Sequence, residues 1–251
     1  MASIGPVKRN APRVLVIIPA LNEEASIAGV IAEVRESIAG AEILVIDDGS
    51  TDATAANAKR AGVMVARLPY NLGVGGAMRV GYHYARDAGF DVAIQIDADG
   101  QHDPRSASQL IDGLADSDIV IGARFAGTES YAVRGPRRWA MRVLSAVLSR
   151  ICRTRLTDTT SGYRAAGRRA IRLFATHFPA EYLGDTVEAL VIAHRAGLTV
   201  SQVPVAMRER AAGTPSHNPL AAARFLVRAS FALAFALVRP SEQYRSEVDA
   251  Q

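Results

Sequence analysis

The chain has 251 residues, of which 49% are hydrophobic and 22% charged, with a formal net charge of +4. That length and apolar content suit one large domain with a real core, and so moderate a charge gives no reason to expect a nucleic-acid partner. A single cysteine, Cys152, excludes an intramolecular disulfide framework.

Residues 1–12 have no signal-peptide h-region after their basic positions Lys8 and Arg9, and read as a flexible arm and not as an export signal. VLVIIPA, Val14 to Ala20, is a buried strand, and the stretch beginning NEEASIAG is a helix with acids in its first turn. EILVIDDGS is a second strand, followed by a helix capped by Thr51 or Asp52 and closed by Gly62. VMVARLP is a third strand, GGAMRVGYHYARDAG a helix and VAIQID a fourth strand. Ser106 to Asp116 is helical, and DIVIGAR is a fifth strand. Strands alternating with helices of this length predict an α/β fold with a mainly parallel central sheet and helices on both faces.

In such sheets ligands bind beyond the C-terminal strand ends. Three polar clusters fall on that edge: Pro19 with Asn22, Glu23 and Glu24; Asp47 with Asp48; Asp97 with Asp99. No GxGxxG follows the first strand, so the dinucleotide-binding fingerprint is absent. Asp97 and Asp99 lie two apart on an extended segment and project the same way. With a carbonyl from Gln101, they form an oxygen set suited to Mg²⁺ or Mn²⁺ rather than zinc.

From Ser130 to Thr157 there is no acid and there are seven arginines. At helical spacing Arg138, Arg142, Ser145, Ser149 and Arg153 share one face, and Val143, Leu144, Val147, Leu148 and Ile151 cover the other. This is a cationic amphipathic helix, either an ordinary surface helix or one that touches an anionic membrane. Pro219 to Pro240 is apolar almost all round, but Arg224 and Arg228 argue against a simple spanning helix. It suits a membrane interface, a membrane partner or a core-packing role.

The ordered motifs IPALNEE, VIDDGSTD, NLGVGGAMRVG, IDADGQHDP and DTTSGYR resemble those of the family 2 glycosyltransferases of the GT-A fold. Within them they look like dolichol- and polyprenyl-phosphate sugar synthases. The resemblance implies a GT-A domain over residues 13–212, with 213–251 forming a lid segment and a membrane- or partner-associated C-terminal helix. It also implies an inverting, metal-dependent transfer from a nucleotide-diphosphate sugar, with UDP or GDP as the nucleotide. Pro19, Asn22, Glu23, Asp48, Asn71, Gly75, Asp97 and Ala98 would line the donor pocket. Asp97, Asp99 and Gln101 would hold the metal, with Asp99, Arg124 and Arg164 catalytic.

The acceptor decides whether a base is needed. A polyprenyl phosphate is already ionised near neutral pH and requires cations, for which Arg124, Arg164, Arg208 and Arg210 are candidates. A hydroxyl acceptor would instead call for a general base, Asp185 or Glu188. The expected setting is the cytoplasmic membrane face, with peripheral attachment through these helices or through a small membrane subunit. A homo-oligomer is left open.

Overall fold

The computed structural model describes residues 11–123, 136–179 and 185–208, with Tyr244 and Val248, and side chains throughout except at 136–142 and 185. Seven strands form one sheet: β1 Val14–Ala20, β2 Glu42–Asp47, β3 Met64–Arg67, β4 Val92–Gln95, β5 Ile119–Ala123, β6 Arg164–Gly167 and β7 Val200–Pro204. Their spatial order is β3-β2-β1-β4-β6-β5-β7, and every pairing is parallel except those of β6, which runs antiparallel between β4 and β5.

Every residue of β1 is buried, as a central parallel strand covered on both faces requires. Leu15 and Ile17 enter one core, whereas Val14, Val16 and Ile18 enter the other. The first core lies under α3 Gly73–Asp87, α5 Pro136–Cys152, α6 Arg168–His177 and α7 Asp185–Arg195. The second lies under α1 Ile27–Ser37, α2 Thr54–Arg60 and α4 Ala107–Gly113. Tyr82 of α3 packs on Phe174 and Phe178 with ring centroids 5.2 and 5.3 Å away. Each such aromatic pair adds about 1 kcal/mol beyond its buried area. A Cβ at Gly81 would lie 2.5 Å from Ile17 Cγ2, so the glycine lets α3 lie directly on β1. That contact sets where the N-terminus of α3 meets the sheet edge.

The structure departs from the sequence reading, or adds to it, at several points. Helix α1 starts at Ile27 and has no acid in its first turn. Glu23 and Glu24 precede it in a turn, where the Glu23 N–H donates to Thr54 Oγ1 at 2.8 Å and Glu24 Oε2 accepts from the Ala53 N–H at 2.9 Å. Strand β5 does not follow β4 in the sheet, because the RAAG segment after SGY inserts between them. On α5, Leu144 and Leu148 are buried, but Val143 and Val147 are exposed at 42% and 37%. The side chains of Arg138 and Arg142 on that helix lie outside the described residues. So do the expected lid and Pro219 to Pro240. Among the described residues no helix is long and apolar enough to cross a membrane.

Candidate active site

The chain leaves β1 for β2 on one side and later returns to β4 on the other, so the crevice between β1 and β4 is the topological switch point. A cleft of about 270 Å³ opens there. Pro19 and Ala20 at the end of β1, with Leu21 and Glu23 just beyond it, supply one wall, and Asp48 supplies the wall beyond β2. Asn71, Gly73, Val74 and Ala77 contribute from the start of α3, and Asp97, Ala98 and Asp99 from the end of β4. Pro19, Glu23, Asp48, Asn71, Asp97, Ala98 and Asp99, each expected at a donor or at the metal beside it, therefore meet in one cleft.

Asn22, Gly75 and Gln101 do not line it. Asn22 sits at φ 54°, a left-handed conformation that asparagine tolerates better than most residues. Its N–H donates to Ser50 Oγ and its Oδ1 accepts from the Thr51 N–H, both at 2.9 Å. It ties the loops after β1 and β2 together. Gly75 is buried in the first turn of α3.

Asp47 and Asp48 divide their work. Asp47 is fully buried; its Oδ1 accepts from the Ser50 N–H at 3.0 Å, and Arg67 Nε stands 3.2 Å from its Oδ2. Asp48 accepts the Leu72 N–H at 2.7 Å and the Gly73 N–H at 2.8 Å, one on each oxygen. Burial raises its pKa against the opposing pull of those two N–H groups. Asp48 thus anchors the amino end of α3 while facing the cleft.

The segment after β4 is held just as closely. Gln95 is buried, and its Nε2 donates to Asp97 Oδ1 at 2.9 Å. The Asp97 N–H donates to His102 Nδ1 at 3.0 Å, which leaves the His102 proton on Nε2, 3.6 Å from Asp97 Oδ2. The buried His102 ring stacks on Tyr163 with centroids 4.8 Å apart. Asp99 Oδ1 accepts the Gln101 N–H at 3.0 Å, and Asp103 caps the turn that begins at Pro104. A Cβ at Gly162 would lie 2.8 Å from Gln95 Nε2 and 3.1 Å from Asp97 Oδ2. The DTTSGYR loop therefore lies hard against the Asp97 carboxylate because residue 162 has no side chain.

The carboxylates of Asp97 and Asp99 offer hard oxygens at the cleft, whereas Gln101, two residues on in the same loop, does not line it. That donor set fits Mg²⁺ or Mn²⁺. Among the described residues, no three His, Cys, Asp or Glu side chains converge as a ready-made metal cage. Two carboxylates that leave further positions to substrate phosphates are the usual arrangement for Mg²⁺.

The expected cations are placed as follows. Arg164 opens β6 opposite Gln95, is fully buried, and donates from Nη2 to the Ser161 carbonyl at 2.8 Å. Arg208 forks between Glu33 Oε2 at 2.6 Å and Asp103 Oδ1 at 2.9 Å. Arg124 and Arg210 lie outside the described residues, as does the side chain of Asp185. Glu188 is half-buried on α7 and does not line the cleft. Sequence reasoning missed Gln95 and Gly162. Gln95 stands two residues before Asp97, which was the available signal, but the role of Gly162 depends on a strand insertion that no local pattern announces.

Residues 15–174 match the family described as Glycosyl transferase family 2. Undecaprenyl-phosphate mannosyltransferase of Micrococcus luteus is 32% identical over 213 residues, covering 80% of this chain and 86% of that protein. Polyprenol monophosphomannose synthase of Mycolicibacterium smegmatis is 30% identical over 221 residues, covering 82% and 81%. Among solved structures, glucosyl-3-phosphoglycerate synthase of Mycobacterium tuberculosis, in complex with Mn²⁺, UDP-glucose and phosphoglyceric acid, superposes with a TM-score of 0.69. It is 24% identical, with 91% of this chain and 81% of that chain covered, and supports the GT-A fold. A switch-point cleft edged by paired carboxylates, a family match over most of the chain and relatives at this identity lead to one conclusion: the chain belongs to glycosyl transferase family 2 and is a glycosyltransferase.

Proposed function

We propose that the protein transfers one sugar from a nucleoside-diphosphate sugar to a polyprenyl phosphate at a membrane surface, with a divalent metal and with inversion at the anomeric carbon. The observation that carries this reading is the meeting of Asp48, Asp97 and Asp99 with the amino end of α3 in one cleft. The relatives named undecaprenyl-phosphate mannosyltransferase and polyprenol monophosphomannose synthase support the acceptor.

The residues divide the labour. Glu23, Asp48 and Asn71 line the cleft and are assigned to the donor, Glu23 and Asp48 to its nucleoside, with Asp48 also fixing the loop that leads into α3. Asp97, Asp99 and Gln101 would hold Mg²⁺ or Mn²⁺. When bound, that cation neutralises charge on the departing nucleoside diphosphate. An oxygen of the acceptor phosphate attacks the anomeric carbon from the side opposite the diphosphate. The new C–O bond forms as the bond to the β-phosphate oxygen breaks, and the electron pair leaves with the diphosphate. The phosphate oxygen is already ionised, so no carboxylate base is assigned.

Arg124 and Arg210 are the arginines assigned to the acceptor phosphate. Arg164, buried beside Gln95, contributes a positive field rather than a direct contact. Arg208 would serve the phosphate only by releasing Glu33 and Asp103. Peripheral membrane contact is assigned to α5, whose Val143 and Val147 are exposed one turn apart.

The test is incubation with radiolabelled UDP- and GDP-sugars plus polyprenyl phosphate. Label from one donor should enter the organic phase. Label passing only to a water-soluble product would refute the lipid acceptor.

A further inference from the structure

The sequence suggests an acceptor phosphate for Arg208, yet its surroundings suit a different task. Its guanidinium joins two carboxylates from distant parts of the chain, Glu33 of α1 and Asp103 of the loop after β4. Its own N–H donates to the Gln101 carbonyl at 3.0 Å, and Met207 forms a bridge with His102. Three consecutive residues, Gln101, His102 and Asp103, are thus held by Met207 and Arg208. The same loop is gripped from below, where Tyr163 Oη donates to the Asp103 carbonyl at 2.9 Å. Its opposite end carries Asp97 and Asp99 at the cleft.

We propose that Arg208 is a positioning residue that staples the carboxylate loop to α1 through Asp103 and Glu33, and so sets metal affinity without touching the acceptor. The inference rests on the reading that Asp97 and Asp99 hold a divalent cation.

The geometry favours the staple over a phosphate contact on two counts. Each arm of the fork already meets a carboxylate at charge-assisted hydrogen-bond distance, so an arriving phosphate would have to displace both. The backbone contacts of Met207 and Arg208 to the loop also persist whatever the side chain does, so the guanidinium adds direction to an attachment that already exists. A partly exposed ion pair contributes little to global stability, and its effect belongs in the placement of the loop.

The experiment titrates Mn²⁺, alone and with GDP or UDP, into the full chain and reads the free Mn²⁺ signal by electron paramagnetic resonance. Arg208→Ala should weaken Mn²⁺ binding on the order of tenfold, as loss of an outer-shell partner does. Glu33→Gln, a change on the outer face of α1 that leaves the fold intact, should weaken it in the same direction. The double variant should be no worse than Arg208→Ala alone, and Arg208→Lys should recover part of the loss. The KM for polyprenyl phosphate should stay within about twofold when Mn²⁺ is saturating, because the acceptor is not touched. Unchanged Mn²⁺ binding in both single variants, with a raised KM for the lipid in Arg208→Ala, would overturn the staple and return Arg208 to the acceptor. Absence of Mn²⁺ binding by the unaltered protein under every condition would overturn the metal reading itself, and the staple with it.

Discussion

The side-chain amide of Gln95 donates to the carboxylate of Asp97 at 2.9 Å, and the buried His102 ring accepts the N–H of the same aspartate. Asp97 is thus oriented by two groups, one from within the sheet and one from beyond it, before any ligand arrives. Such preorganisation is what a carboxylate needs to meet a cation without first reordering itself.

Removing the amide should therefore cost function more than stability. Gln95→Leu keeps the site filled and takes away the donor. Transfer activity should fall roughly tenfold, with Mn²⁺ affinity falling in parallel. Steady-state kinetics at several Mn²⁺ concentrations check this, and a loss unrelated to metal concentration would place Gln95 in a purely structural role.

Gly162 should be intolerant for a steric reason. An added methyl must displace Gln95 Nε2, 2.8 Å away, and crowd Asp97 Oδ2 at 3.1 Å. Gly162→Ala should lower both metal affinity and melting temperature. Gly29 on α1 is the contrast, because a Cβ added there would meet nothing within 4 Å. Gly29→Ala should raise stability by about 0.5–1 kcal/mol, measured by denaturant unfolding.

Asp99 is a sharper test of chemistry. Its carboxylate accepts the Gln101 N–H within its own turn, so Asp99→Ala should cost about 1.5–3 kcal/mol of stability. Activity should nevertheless drop by a factor on the order of a thousand if the carboxylate holds the cation. Circular dichroism together with the transfer assay separates the two quantities.

Cys152 offers a check on packing near the end of α5. Burial pushes its thiol up to about 11 from an ordinary 9.0, so the thiolate is scarce at neutral pH. Alkylation of the native protein at pH 8 should run roughly a hundredfold slower than in the unfolded chain. Equal rates in the two states would mean that the end of α5 does not pack Cys152 against α7, where its Sγ lies 4.0 Å from the Leu190 carbonyl.

Much of the site was legible because acids at the ends of apolar runs mark the ligand edge of a parallel sheet. Asp48, Asp97 and Asp99 stand at such ends, and the cleft collects all three. What was illegible depends on contacts between distant segments. RAAG is too short and too bland to announce a strand, yet as β6 it brings Gly162 against Asp97 and Arg164 beside Gln95. Glu23 and Glu24 read as helix-start acids, but Thr54 at the start of α2 takes the Glu23 N–H and Ala53 just before it donates to the Glu24 carboxylate. Helical spacing groups Val143 and Val147 with Leu144 and Leu148, but it assigns faces without saying which of them the sheet will cover.

The most direct measurement follows the label. Radiolabelled donor sugar is supplied with polyprenyl phosphate or with the unphosphorylated polyprenol, each with and without a chelator. Label should reach the organic phase with the lipid phosphate alone, disappear on chelation and return on adding Mn²⁺ or Mg²⁺. Equal labelling of the free alcohol, or full transfer in the presence of the chelator, would contradict metal-assisted transfer to a lipid phosphate.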